Sequence, residues 1–273
     1  MTARRPLVRV GGRIRQLPAG DTLPGVRELL TAARTYYVRT DGSDSNDGLS
    51  NSSGGAFATA QKAIDVVASL DTGIYNVTLS ISAGTFGAIT LKDPLGSGSV
   101  TISGAGASQT ILDGASVDAV NCGLSRKYVL SALRMRSSGG SGITCLAGAA
   151  VTISGVDFGS CAAYHLNIAG GTLNGASYSV SGGAAVHWYC ANGGQIVCAG
   201  ITLTLSASIA FTTAFAFCNV ASFMRVNANT FSGAATGVRY TVANGSVIFV
   251  SGAGESYLPG SAAGNVGAGG QYA

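Results

Sequence analysis

The stretch Ile143-Thr-Cys-Leu-Ala-Gly-Ala-Ala-Val-Thr-Ile returns in altered form four times. The copies are His165-Leu-Asn-Ile-Ala-Gly-Gly-Thr-Leu, His187-Trp-Tyr-Cys-Ala-Asn-Gly-Gly-Gln-Ile, Phe217-Cys-Asn-Val-Ala-Ser-Phe-Met-Arg-Val and Arg239-Tyr-Thr-Val-Ala-Asn-Gly-Ser-Val-Ile. Aligned on their alanines, they give an apolar column of Leu146, Ile168, Cys190, Val220 and Val242. The neighbouring column is Ala147, Ala169, Ala191, Ala221 and Ala243. The steps are equal except for a longer one from Cys190 to Val220. A return about every 22 residues, with short alternating strands broken by Gly, Asn or Ser, is the signature of stacked coils. Successive coils of a parallel β-solenoid lie about 4.8 Å apart, so like residues stack on like. Gly and Asn supply the positive-φ corners.

Working outward, the long interval predicts a loop near Ser206–Thr213. Equal steps back from Leu146 reach Leu124 and then Ile102 in the same column. Roughly eight coils then fit between Val77 and Ser251, a rod on the order of 40 Å long. A Leu-rich horseshoe lacks its consensus here, and an antiparallel sandwich predicts no fixed alanine column. Upstream, Phe57-Ala-Thr-Ala-Gln-Lys-Ala-Ile-Asp-Val-Val reads as a helix with Thr59 as N-cap. Phe57, Ile64 and Val67 share one face of it. It is expected to be the lid on the open end of the solenoid. The predicted class is thus all-β, a parallel β-helix with an N-terminal capping helix.

Composition supports this. Of 273 residues, 41 are Gly, only 10% are charged and 47% are hydrophobic, with a net charge of +4. Mean hydropathy is +0.36. Disorder needs the opposite balance, and so much Gly is costly in long helices. Residues 1–34 hold seven arginines against Asp21 and Glu28, a net +5, while the rest of the chain carries nine basic and ten acidic groups. The body therefore lacks the basic stripe of a nucleic-acid groove. The stretch from Phe158 to Met224 contains no Asp, Glu, Lys or Arg. Ile201–Met224 is apolar enough to suggest a membrane span, but it alternates with period two and carries hydroxyls, so no membrane insertion is expected. The N-terminal residues lack the apolar core of a secretory signal. The six cysteines, Cys122, Cys145, Cys161, Cys190, Cys198 and Cys218, show no metal-ligand spacing. They read as buried free thiols of a protein folded in a reducing cytoplasm.

Three motifs carry a resemblance. Tyr36-Tyr-Val-Arg-Thr-Asp-Gly-Ser-Asp-Ser-Asn-Asp-Gly-Leu with Ala56-Phe-Ala-Thr-Ala-Gln-Lys-Ala-Ile resembles the entry motif of right-handed β-helix proteins of the pectate-lyase-like superfamily. Val8-Arg-Val-Gly-Gly-Arg-Ile-Arg-Gln-Leu resembles the N-terminal segment of phage tail and fibre proteins. Tyr257-Leu-Pro-Gly-Ser-Ala-Ala-Gly-Asn-Val resembles their tail end. The resemblance implies a right-handed helix and a homotrimeric fibre or spike, on head or tail, of a phage, prophage or gene transfer agent. It further implies assembly in the bacterial cytoplasm and residence on the particle. The implied layout is an attachment arm over residues 1–34 that meets other particle proteins, an entry motif and helix over 35–75, a β-helix over 76–256 and a tail over 257–273.

Polysaccharide lyases and hydrolases of this kind need carboxylates on the coil faces. The candidates in the body reduce to Asp113, Asp118 and Asp157; Asp113 and Asp118, five apart across Gly114, either converge on one sugar or read as turn residues, and no enzyme activity and no cofactor are expected. Asp41, Asp44, Asn46 and Asp47 break the calcium-loop pattern and read as a turn-rich entry loop. By alternation with the inward column, His165, His187, Asn167, Tyr189 and Asn219 face outward, and Trp188 faces inward. An uncharged His, Tyr and Asn surface suits neutral sugars, and suits the packing of a homotrimer equally. The expected function is attachment to host cell-surface polysaccharide. The rivals are a tailspike-type depolymerase and a purely structural adaptor.

Overall fold

The computed structural model describes residues 7–16 and 26–273. Residues 26–273 build a parallel β-solenoid. Its first sheet has ten strands, running from Arg34–Val38 through Val77–Ile81, Val100–Gly104, Tyr128–Ser131, Ala150–Ser154, Thr172–Gly175, Gln195–Val197, Phe223–Arg225 and Val247–Phe249 to Gln271–Tyr272. A second sheet runs from Gly84–Gly87 through Thr110–Asp113, Arg134–Ser137, Asp157–Cys161 and Tyr178–Val180 to Thr230–Thr236. A third runs from Ile89–Thr90 through Val120–Asn121, Ile143–Leu146, Tyr164–Ala169, Ala184–Ala191 and Tyr240–Val242 to Asn265–Val266. The long strand Thr202–Cys218 belongs to both the second and the third. Parallel sheets suit this sequence because turn residues recur at the corners, so each strand returns one coil on beside its predecessor.

The inner column of the third sheet is Cys145, Ile168, Cys190, Cys218 and Val242. Its steps are unequal, shortest from Ile168 to Cys190 and longest from Cys190 to Cys218. Two members of the expected column are therefore wrong. Leu146 and Val220 lie at the corner and are 43% and 44% exposed. Leu124 is exposed as well, and Ile102 sits in the first sheet. The cause is that coils gain or lose residues at their corners, and a slip of one flips the face a side chain occupies. Of the alanines, Ala169 and Ala191 do pair, whereas Ala147 and Ala221 leave the strands. The extra residues of the long coil form no loop. They are absorbed within Thr202–Cys218, whose pairing with Thr230–Thr236 shifts between Thr204 and Ser208.

The interior is continuous and apolar, from Leu30 and Val38 at one end to Ile248 and Leu258 at the other. All six cysteines are buried and free. Three of them repeat one contact: the thiols of Cys145, Cys190 and Cys218 donate to the carbonyls of Thr172, Phe223 and Val247, the first residues of first-sheet strands one coil on. A thiol serves here as a small apolar filler with a weak S–H donor.

The helix spans Ala60–Ala68, and the Thr59 hydroxyl accepts from the Lys62 amide at 3.2 Å. Ile64 and Val67 are fully buried, and the helix packs against strands 34–38, 77–81 and 89–90. The expected boundaries at 34/35 and 256/257 cut through the solenoid. Arg34 opens the first strand, and residues 265–266 and 271–272 add further rungs. Residues 28–29 also pair with Leu70–Asp71, so the end of the expected arm belongs to the body. The remainder of the arm includes a hairpin, Leu7–Val10 with Arg13–Gln16, turned by Gly11 and Gly12 at φ of 58° and 80°. Glycine tolerates both angles, as a tight hairpin turn requires. Residues 1–6 and 17–25 of the arm lie outside the described residues. Among the described residues no helix is long and apolar enough to cross a membrane.

Candidate functional site

The outward column of the third sheet is Asn121, Thr144, Asn167, Tyr189, Phe217, Thr241 and Asn265. Tyr189 stacks between two rings. Its centroid lies 4.3 Å from that of Tyr164 at an interplanar angle of 10°, and 5.5 Å from that of Phe217 at 24°. Asn167 donates to the Thr144 hydroxyl at 3.3 Å. Tyr164, Asn167, Tyr189 and Phe217 are all half-buried. The result is an aromatic ladder with polar, uncharged neighbours, in which the inner ring faces are covered by each other and the ring edges meet solvent. Burial raises the Tyr189 phenol above its ordinary range, so it stays a neutral hydrogen-bonding group.

Asn167 and Tyr189 thus occupy the outward face, as expected. Asn219 does not share their column. It sits at the next corner, where its side-chain oxygen accepts from the Asn244 amide at 2.8 Å and from the Val220 backbone at 2.9 Å. Tyr164 and Phe217 were not anticipated. Phe217 becomes visible as the coil neighbour of Tyr189 once Cys190 is aligned with Cys218 rather than with Val220.

His165 and His187 are the main correction. Both are fully buried, and so is Trp188 beside them. Alternation fails because these residues stand where the chain turns from the second sheet into the third. There His165 and Leu166, and likewise His187 and Trp188, are consecutive buried pairs. The two imidazoles pack among Phe158, Tyr178, Phe211 and Phe215. They are closed to any sugar.

The three candidate carboxylates of the body are already engaged. Asp157 is 3% exposed and accepts from Arg134 at 2.5 Å, from Ser179 at 2.7 Å and from Ser181 at 2.5 Å. Asp118 accepts from the Ser141 amide at 2.7 Å. Asp113 takes the Ala115 amide at 2.9 Å and Arg136 at 2.8 Å, and these two donors hold it below the usual carboxylate range. Asp113, held ionised in this way, does not offer the protonated carboxyl a general acid needs near neutrality.

The entry loop is likewise structural. Asp44 accepts from the amides of Ala58 and Thr59 and from the Thr59 hydroxyl, tying the loop to the start of the helix. Asp41 pairs with Arg39, and Asn46 bonds the carbonyls of Ser53 and Ala56. Among the described residues no three His, Cys, Asp or Glu side chains gather as metal ligands.

No protein-family model, no curated protein and no solved structure matches this chain.

Proposed function

We propose that this chain is a structural fibre or spike subunit of a phage-like particle that attaches it to host cell-surface polysaccharide without cutting the polymer. The observation that carries the reading is the uncharged aromatic and amide face around Tyr164, Asn167, Tyr189 and Phe217, set on a solenoid in which Asp113, Asp118 and Asp157 are engaged. Glycosidic hydrolysis usually needs two carboxylates, one held protonated. The pairs available here join acid to arginine or amide instead. A long rod with little charge also suits a homotrimer, in which each copy buries one face against the others. The apolar side chains of Leu124, Leu146 and Val220 along one corner suit the same role. Residues 1–34, with their excess of arginine, are assigned to docking on the particle.

The test is incubation with purified host capsule or O-antigen, followed by sizing of the polymer and retention of the protein on it. Retention with chain length unchanged is the expected result. A progressive fall in polymer size defeats the reading and installs a depolymerase. Light scattering should return about three times 27.1 kDa.

A further inference from the structure

A groove of about 470 Å³ opens on the outer side of the second sheet, at the corner leading to the third. That volume lies in the usual range of small-ligand sites, about 300–1,000 Å³. The groove is lined by Asp113, Arg136, Ser138 and Ser160 on the polar side and by the apolar Cys161 and Ala162. A register shift builds it. Met135 pairs with Phe158, but Ser137 pairs with Cys161, so the later coil carries one extra residue and bulges at Gly159–Ser160. Bulges of this kind re-aim side chains beside functional sites. The next coil makes room for it: a Cβ on Gly182 would run into the Ser160 nitrogen. Ser160 is exposed.

Hydrogen-bonding capacity is left over. Arg136 uses only Nε on Asp113. Its two Nη groups and the Ser160 hydroxyl make no hydrogen bond among the described residues. Each Asp113 oxygen accepts one donor and keeps a lone pair. The groove therefore offers planar donors beside a carboxylate acceptor, with the two charges cancelling. The neighbouring Arg134 is likewise neutralised by Asp157. A second hollow, lined by Ser177, Ser179, Thr202 and Thr204, opens on the same sheet one coil on.

We infer that this groove is a subsite for a neutral saccharide. A vicinal diol donates to Asp113 and accepts from the Arg136 Nη groups, while the C–H face of the ring rests on Cys161 and Ala162. Ser160 bonds a third hydroxyl, and the serine and threonine hollow takes the continuing polymer. An anionic sugar is disfavoured because Asp113 is held ionised. This inference rests on the glycan-attachment reading and adds a contact on the second sheet to the one on the aromatic ladder.

The experiment uses the full chain on an array of immobilised capsular and O-antigen polysaccharides, neutral and acidic. The variants are Arg136→Ala, Ser160→Trp and Tyr189→Ala, each checked by its melting temperature. Ser160→Trp fills the groove from an exposed bulge and leaves the core untouched. Expected is binding to neutral polymers, weakened at least tenfold by Arg136→Ala and by Ser160→Trp, and weakened as well by Tyr189→Ala in the aromatic ladder. Wild-type binding that survives Ser160→Trp overturns the groove while sparing the attachment reading. A wild-type chain that binds none of the polymers overturns both.

Discussion

The Nδ1 atoms of His165 and His187 lie 2.9 Å apart inside a fully buried aromatic cluster. Two facing nitrogens can share only one proton, so at least one ring is neutral, and burial favours neutrality for both. The proton order follows from the ends of the chain. Trp188 can only donate, and its Nε1–H does so to the Tyr178 oxygen at 2.6 Å. The Tyr178 hydroxyl then donates to His187 Nε2 at 2.8 Å. His187 must donate from Nδ1 to His165, which leaves the His165 Nε2–H as the one buried donor of this relay without a well-placed acceptor. Burial lowers His165 to about 4, offset only in part by the carbonyls of Gly159 and Gly183. Burial also lowers His187 well below its ordinary value, helped by repulsion from His165.

Acid should therefore unfold this protein through its histidines. Above the ordinary histidine pKa of 6.5, folded and unfolded rings are both neutral and stability is flat. Below it the unfolded chain takes up protons that the folded chain refuses, so stability falls with falling pH. His165 alone should remove about 3 kcal/mol by pH 4, at about 1.36 kcal/mol per pKa unit. Urea unfolding from pH 8 to pH 4.5 measures the slope, and imidazole proton resonances should show no titration above pH 5. A midpoint that does not move between pH 7 and pH 4.5 would refute the buried neutral pair.

Asp157 and Asp113 should differ sharply on truncation. Asp157→Ala strips partners from Arg134, Ser179 and Ser181 at a buried position, and breaking such a buried pair costs about 3 kcal/mol. Asp113→Ala removes a solvent-facing pair with Arg136, worth about 1 kcal/mol or less. Denaturant midpoints of the two variants decide this. Equal losses would mean that the Asp157 cluster is open to water.

The solenoid was legible because its corners repeat: Gly170, Asn192 and Asn244 mark them, and the spacing between them is too regular for a sandwich. The helix was legible from Thr59 and from the spacing of Ile64 and Val67. The register was not. Cys145 rather than Leu146 turns inward. Nothing local distinguishes two adjacent apolar residues when the coil from Cys190 to Cys218 is longer than the one from Ile168 to Cys190. The same uncertainty misplaced Asn219 and hid Phe217. The histidines were lost to a different cause. Alternation describes a straight strand, and His165 and His187 stand at a bend between two sheets, where either parity can point inward. The groove at Arg136 depends on a single inserted residue, which leaves no periodic trace.

Val220 should be replaceable to advantage. Its φ is 53°, in the left-handed region where a β-branched residue is strained. The corner residues one coil below and above are Asn192 and Asn244, at φ of 55° and 52°. Asparagine adopts this conformation readily, so Val220→Asn should stabilise the isolated subunit by about 1 kcal/mol. Val220 is also 44% exposed. If it contributes to a trimer contact, the same change raises subunit stability and weakens assembly. Thermal melts and light scattering over a dilution series separate the two effects. A lower melting temperature at every concentration would show that the side chain is needed where it stands.

Where the arm ends should be decided by truncation. A chain beginning at Thr35 loses Leu30, which is 2% exposed. It loses the Leu30 amide bond to the Asp71 carbonyl at 2.8 Å and the pairing of residues 28–29 with 70–71. It also loses Arg34, which grips Glu28 at 2.6 Å and the Tyr36 hydroxyl at 3.2 Å at the start of the first strand. Burial of one leucine and one backbone bond together are worth about 2–3 kcal/mol. A chain beginning at Val26 keeps all of these and loses only the hairpin side of the arm. The Val26 chain should melt with the full-length protein yet fail to join particles, whereas the Thr35 chain should melt measurably lower. Equal melting of all three would make residues 26–34 a passive tether. Full incorporation of the Val26 chain would move the docking function out of the arm and into the solenoid.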